Sequence, residues 1–165
     1  MGLVEDKGDV GSLLDFFFKD VLGVSSSTTI PSHLEDKDTF SRLIRGLLKL
    51  THIHPGHISY FLSVKPPVSN AYGGLHGGVV ASVAEMVAVA CARTVVGKEK
   101  ELFLGELSNS YLSAAPQNAE VKVDASVVRS GRNLTVVAVE FRMKESEKLV
   151  YTSRATFYNM PVASL

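Results

Sequence analysis

The chain has 165 residues, 45% of them hydrophobic and 21% charged, a balance typical of one globular domain with a continuous core. Its 17 basic and 17 acidic side chains cancel, so no net field attracts it to nucleic acid or to an anionic membrane. We therefore expect no nucleic-acid partner and no membrane partner, and an anionic ligand would have to be held by a few local cations.

The composition and the two chain ends predict a cytoplasmic protein. Glu5 and Asp6 stand where a secretory signal peptide would carry basic residues. The single cysteine, Cys91, cannot form an internal disulfide and fits a reducing compartment. The final three residues, 163–165, resemble a peroxisomal Ser-Lys-Leu signal but lack its lysine, so they support a peroxisomal location only weakly.

Residues 1–56 are predicted to form an N-terminal helical extension that packs on the core. Residues 10–24 are apolar, with three phenylalanines at 16–18, and they favour a first helix. Asp38 has the character of an N-cap, and apolar residues recur at helical spacing from Phe40 to Leu50. This second helix is expected to end near Pro55.

From His57 the pattern indicates one strand, one long helix and a meander. Apolar and other residues alternate over 57–64, while residues 77–96 are rich in Ala and Val and predict a helix buried nearly all round. Four further strands are expected, separated by turns at 115–118, 130–133 and 144–147. Short turns make neighbouring strands antiparallel, so we expect an α+β fold whose sheet curls around the helix.

Glu85 is the only acidic residue between Ser69 and Lys98, and it lies in the middle of the apolar helix. A buried carboxylate costs several kcal/mol unless it is paired, hydrogen-bonded or protonated. A catalytic carboxylate and a structural carboxylate at an interface explain it equally well.

A run of glycines and one histidine, residues 73–78, leads directly into the same helix. A helix start has backbone N–H groups without partners, and glycine lets a ligand approach them closely, so this segment could bind an oxyanion. Taken alone, the run is equally typical of a tight turn.

Together these residues resemble the hotdog-fold acyl-CoA thioesterases, in particular the branch of phenylacetyl-CoA and 4-hydroxybenzoyl-CoA thioesterases. The matching positions are Asn70, Gly73, Leu75, His76, Gly77, Gly78 and Glu85. The resemblance implies a hotdog domain over residues 57–160, in which a curved antiparallel sheet of five to six strands wraps a long central helix. Extra helices would precede it.

The resemblance also implies roles for the matching residues. The Gly77 N–H would polarise the thioester carbonyl, and Glu85 would act either as general base or as nucleophile. Asn70 would orient substrate or water, His76 would shape the loop, and Gly78 would contact substrate. No cofactor and no metal are implied.

Two features bear on substrate binding and on the position of the water. Gly131 and Arg132 resemble a turn that contacts the nucleotide part of CoA in relatives, although an ordinary hairpin turn fits equally well. Relatives hold the water with Ser or Thr at positions that here are Val89 and Leu104, both apolar. The replacement candidates are Ser108, Asn109 and Ser110.

Spacing adds an independent argument for an oligomer. Gly77 and Glu85 are eight residues apart, which along one helix is about 12 Å. One carbonyl cannot reach both, so a second copy would have to supply its own Glu85. We therefore expect a homodimer with shared sites, and by resemblance a dimer of dimers.

The same residues also allow functions other than acyl-CoA hydrolysis. The main alternative is a hotdog module that binds an acyl-CoA or acyl-carrier ligand without catalysis. An acyl dehydratase is disfavoured because the acid follows His76 by nine residues in a glycine-rich context. His52, His54 and His57 lack a Cys or acid to complete a metal site, and the length of the acyl group is not encoded in any motif.

Overall fold

The computed structural model describes residues 32–162. The chain divides into two units, Met1–Thr39 and Phe40–Leu165, and the fold below is that of the second. The helix predicted at residues 10–24 lies outside the described residues. The proposed extension over 1–56 therefore remains a prediction.

The α-helices and strands of residues 39–161 follow the predicted order from His57 onward. They are helix α1 (Thr39–Leu47), strands β1 (Leu48–His54) and β2 (His57–Ser63), helix α2 (Gly77–Arg93), and strands β3 (Lys100–Tyr111), β4 (Glu120–Ser130), β5 (Leu134–Met143) and β6 (Leu149–Pro161). All pairings are antiparallel, in the order β1-β2-β4-β5-β6-β3. The predicted α+β arrangement of one long helix and a sheet of five to six strands is confirmed, and the sheet has six strands.

Strand β1 corrects the prediction of a helix that continues to Pro55. The helix ends at Leu47, and Leu48–His54 pairs with β2 through a tight turn in which Gly56 has a φ of 78°. Leu48 and Leu50 fit helical spacing, but they also fit alternation along a strand. The backbone hydrogen bonds to β2 decide between the two, and no local pattern reports them.

The core lies between α2 and the concave face of the sheet. The helix contributes buried small side chains, which are Val80, Val83, Ala84, Val87, Ala88, Cys91 and Ala92. They pack with inward residues of the sheet that include Val123, Val137, Phe141 and Phe157. Burial raises the pKa of Cys91 to about 11, and its thiol donates to the Ala125 carbonyl at 3.4 Å, so it is a protonated core side chain.

One face of α2 is open in the single chain, which corrects the prediction that the helix is buried all round. Gly78, Glu85 and Arg93 are exposed on it, and Ser82 and Val89 are half-buried. These positions recur at intervals of three or four and form one stripe, because a single sheet covers only one side of a helix. The Glu85 side chain is therefore exposed to solvent in the isolated chain.

Strand β3 forms one edge of the sheet and bonds to β6 on one side only. It is 12 residues long and carries the exposed aromatic side chains Phe103 and Tyr111. Long edges with unpaired backbone groups invite pairing with another chain unless charges or bulges block them. Strand β3 has such a bulge, between Leu104 and Glu106, and pairs regularly with β6 on either side of it.

Candidate active site

Asn70 organises the loop that precedes α2. Its side-chain Oδ1 accepts hydrogen bonds from the backbone N–H groups of Tyr72, at 3.0 Å, and Gly74, at 3.1 Å. Its backbone N–H donates to the Gly74 carbonyl at 2.7 Å, and the turn passes through Gly73 with a φ of 73°. The loop thus occupies Oδ1, and only the amide Nδ2 of Asn70 remains for a ligand.

His76 is the N-cap of α2. Its backbone is extended, with φ −66° and ψ 131°, and its Nδ1 accepts from the Gly78 N–H at 3.0 Å. Its own backbone N–H donates to the Val68 carbonyl at 2.9 Å. These bonds tie the start of the helix to the preceding loop, and they occupy the N–H of Gly78.

The backbone N–H of Gly77 has no hydrogen-bond partner among residues 32–162, because the first N–H groups of a helix lack acceptors within it. The Tyr111 ring lies over this residue, and its hydroxyl donates to the Gly77 carbonyl at 3.1 Å. A Cβ at position 77 would lie 3.4 Å from that ring. Tyr111 therefore takes the space beside Gly77 that a side chain would use.

Asn70, Gly77 and Tyr111 line a cavity of about 300 Å³ together with the buried Tyr151. The Tyr151 oxygen accepts from the Ala115 N–H at 2.9 Å, and burial raises the pKa of this phenol above its usual value. The two tyrosine rings meet edge to face, with centroids 5.9 Å apart. Gly77 thus lies beside two aromatic rings that line the same cavity.

The sequence analysis named Asn70 and Gly77, which line this cavity, and His76, which lines a separate one beside Val68, but it missed both tyrosines. Tyr151 stands in the inward row of β6, which alternates Tyr151, Ser153, Ala155, Phe157 and Asn159. That alternation was readable from the sequence. Tyr111 could be found only from the way β3 runs back toward the start of α2.

Glu85 does not line this cavity. It is exposed on the open stripe of α2, two helical turns beyond Gly77, a rise of about 12 Å. Val89, on the same stripe, is half-buried and apolar. In one chain the acid and the cavity are therefore separate.

The turn that carries Gly131 and Arg132 is hydrogen-bonded to the buried side-chain amide of Asn159. Asn159 is 6% exposed, and its Nδ2 donates to the Gly131 carbonyl at 2.9 Å while its Oδ1 accepts from the Thr135 hydroxyl at 3.1 Å. Lys100 Nζ donates to the Arg132 carbonyl at 2.8 Å. The backbone of the turn is thus held, while the Arg132 side chain is exposed.

Replacing Asn159 with Ala is expected to lower the free energy of unfolding by about 1–3 kcal/mol, because the Thr135 hydroxyl and the Gly131 carbonyl each lose one hydrogen bond. Urea denaturation measures the change. Asn133→Ala, at an exposed position of the same turn, is the matched control and should stay within about 0.5 kcal/mol of wild type. Equal effects of the two changes would contradict the anchoring role.

Two of the three clustered histidines for which no metal site is expected, His54 and His57, have polar partners within the protein. His57 bonds through Nδ1 to the Ser126 hydroxyl at 3.0 Å and lies 3.8 Å from the Asp124 carboxylate through Nε2. His54 Nδ1 contacts the Pro55 carbonyl at 3.0 Å. Over residues 32–162, no three His, Cys, Asp or Glu side chains converge as a metal site would require.

In the same range, no helix is long and apolar enough to cross a membrane.

Comparison with known proteins agrees with this fold. The thioesterase superfamily model matches residues 72–150. Acyl-coenzyme A thioesterase 13 of Homo sapiens is 26% identical over 121 residues, which cover 71% of this chain and 82% of that protein.

Two crystal structures share the architecture. Zebra fish thioesterase superfamily member 2 has a TM-score of 0.69 at 23% identity, and the match covers 74% of this chain and 88% of the zebra fish chain. A Streptococcus mutans protein solved bound to acetyl CoA has a TM-score of 0.64 at 16% identity, over 85% and 98% of the two chains. These likenesses confirm the hotdog fold. Over residues 72–150 the chain is similar to the thioesterase superfamily.

Proposed function

We propose that this protein hydrolyses an acyl-CoA thioester to the free acid and CoA. The observation that carries the proposal is the unpartnered N–H of Gly77 beside a cavity lined by Asn70, Tyr111 and Tyr151. A thioester carbonyl placed there would receive that hydrogen bond as negative charge develops on its oxygen. Such donors stabilise the developing charge most strongly in sites that exclude water.

Glu85 is proposed to act on the same thioester from a second copy of the chain. Within one chain the carboxylate lies about 12 Å along the helix from Gly77, too far to serve one carbonyl. Two copies of α2 that pass each other with their open stripes in contact would bring each Glu85 to the opposite Gly77. The open face of α2 supports this homodimer, and further pairing of dimers rests on family resemblance.

In this dimer Glu85 acts as general base or as nucleophile. As base it removes a proton from water, the water oxygen bonds to the carbonyl carbon, and the C–S bond breaks to release the CoA thiolate, which takes up the proton. As nucleophile it forms an anhydride with loss of the thiolate, and water then cleaves that anhydride. The exposed position of Glu85 in the single chain is compatible with both.

The coenzyme is proposed to bind with its phosphates near the anchored turn at Gly131, where Arg132 can form a bidentate pair with a phosphate. The held backbone of this turn supports a defined position for the arginine. Support for CoA itself comes from the named activity of the human relative and from the acetyl CoA in the Streptococcus mutans structure.

A panel of aliphatic and aromatic acyl-CoAs tests the proposal through the release of free thiol. We expect the wild-type protein to turn over at least one of them, and the preferred substrate would define the length or aromaticity of the acyl group. Tight binding of acyl-CoA with no turnover across the whole panel would contradict hydrolysis and favour the non-catalytic acyl-binding module.

A further inference from the structure

Strand β3 places alternate side chains on opposite faces of the sheet, and this separates three neighbouring polar residues. Tyr111 lies on the inner face, since its ring covers Gly77. Asn109, two residues earlier, points to the same face, whereas Ser108 and Ser110 point to the outer one. The register agrees, because Tyr111 and Asn109 pair with the inward Tyr151 and Ser153 of β6.

Asn109 is held by a buried serine. The Ser153 hydroxyl, on a residue 6% exposed, donates to Asn109 Oδ1 at 2.6 Å. In this orientation the amide oxygen faces Ser153 and the Nδ2 hydrogens point away from it. Among residues 32–162 no hydrogen bond uses Nδ2.

Asn109 and Ser153 form a polar pair next to a row of apolar side chains. The other inward positions of β3 toward its start are Leu107 and, beyond the bulge between Leu104 and Glu106, Leu104 and Leu102, all apolar and packed against the core. A polar pair in such a row costs desolvation that a leucine would not. Asn109 is two residues, about 7 Å along the strand, from Tyr111, whose ring covers the first residue of α2.

We propose that Asn109 is a positioning residue that holds the hydrolytic water through Nδ2. The inference rests on the proposed thioester hydrolysis and supplies the group that Val89 and Leu104 cannot provide. The water oxygen would accept a hydrogen bond from Nδ2, donate one proton to Glu85 of the second copy, and direct its remaining lone pair at the carbonyl carbon held by Gly77.

Asn109→Asp is the informative change, because it keeps the shape of the side chain and an oxygen that accepts from Ser153 but removes the donor. We expect kcat to fall roughly 10–100-fold for both Asn109→Asp and Asn109→Ala, with KM for acyl-CoA changed less than kcat. Ser153→Ala should lower kcat by a smaller factor, since the amide can then rotate. Ser108→Ala and Ser110→Ala, on the outer face, are matched controls and should retain wild-type kcat.

The outcomes separate this inference from the proposed function. Wild-type kcat in Asn109→Asp, alongside an inactive Glu85→Gln, would overturn the role of Asn109 and leave hydrolysis standing. Loss in Asn109→Ala but not in Asn109→Asp would show that only the bond to Ser153 matters, which also overturns the inference. An equal loss in Ser108→Ala would do the same, and a wild-type protein inert on every acyl-CoA would overturn both proposals. If Asn109→Ala fails to fold, Asn109→Asp decides alone.

Discussion

Replacing Gly77 with proline is expected to lower kcat for acyl-CoA hydrolysis roughly 10²–10³-fold, the usual effect of removing one oxyanion donor. Proline has no backbone N–H, and position 77 is the first residue of α2, where proline is well tolerated. The preceding His76 is extended, with ψ 131°, the conformation that proline requires of its neighbour. The helix should therefore persist while the donor is lost.

Gly77→Ala is the matched control for this change. Alanine introduces a Cβ at the same place, 3.4 Å from the Tyr111 ring, but it retains the N–H. Steady-state kinetics on the preferred acyl-CoA compare the two, and circular dichroism reports whether α2 is intact. If Gly77→Pro and Gly77→Ala both kept kcat near the wild-type value, the N–H of Gly77 would not be the oxyanion donor.

Glu85→Gln is expected to reduce kcat about 10²–10⁴-fold, because glutamine can neither accept a proton from water nor attack the thioester. The free energy of unfolding should change by less than about 0.5 kcal/mol, since the two side chains have nearly the same size and shape. Glu101→Gln, at an exposed position of β3, should retain wild-type kcat. Full activity of Glu85→Gln would remove this residue from the mechanism.

Mixed dimers of the two inactive variants test whether the site is shared. A dimer with Gly77→Pro in one chain and Glu85→Gln in the other would have one site with both defects and one intact site. Co-expression with two different tags isolates it, and we expect about half of the wild-type activity per dimer. If each site lay within one chain, every site would carry one defect and the mixed dimer would stay inactive.

Much of the architecture could be read from local patterns. The long run of small apolar residues in α2 and the alternation in β4 and β5 each satisfy one periodicity over many residues, so packing reinforces the local preference. The turns around Pro116, Gly131 and Glu145 come from residues that interrupt both periodicities. The boundary at Leu47 was misplaced because Leu48 and Leu50 satisfy both periods, and the pairing of β1 with β2 is non-local.

The candidate site divides in the same way. Asn70, His76 and Gly77 are close in sequence and belong to one loop and the helix start that follows it, so a motif can locate them. Tyr111 and Tyr151 come from two strands that follow the helix, and only the path of β3 and its pairing with β6 place them against Gly77. Local spacing carries no information about such approaches.

Glu85 illustrates the division most clearly. The sequence by itself determined that a lone carboxylate interrupts an apolar helix eight residues beyond the glycine that begins it, and helix rise separates the two by about 12 Å. Only the tertiary structure decided that this carboxylate is exposed, because a six-stranded sheet curves around one side of α2 and leaves its polar stripe open. Which side of a helix is covered depends on contacts distant in sequence, and hydropathy within the helix does not report them.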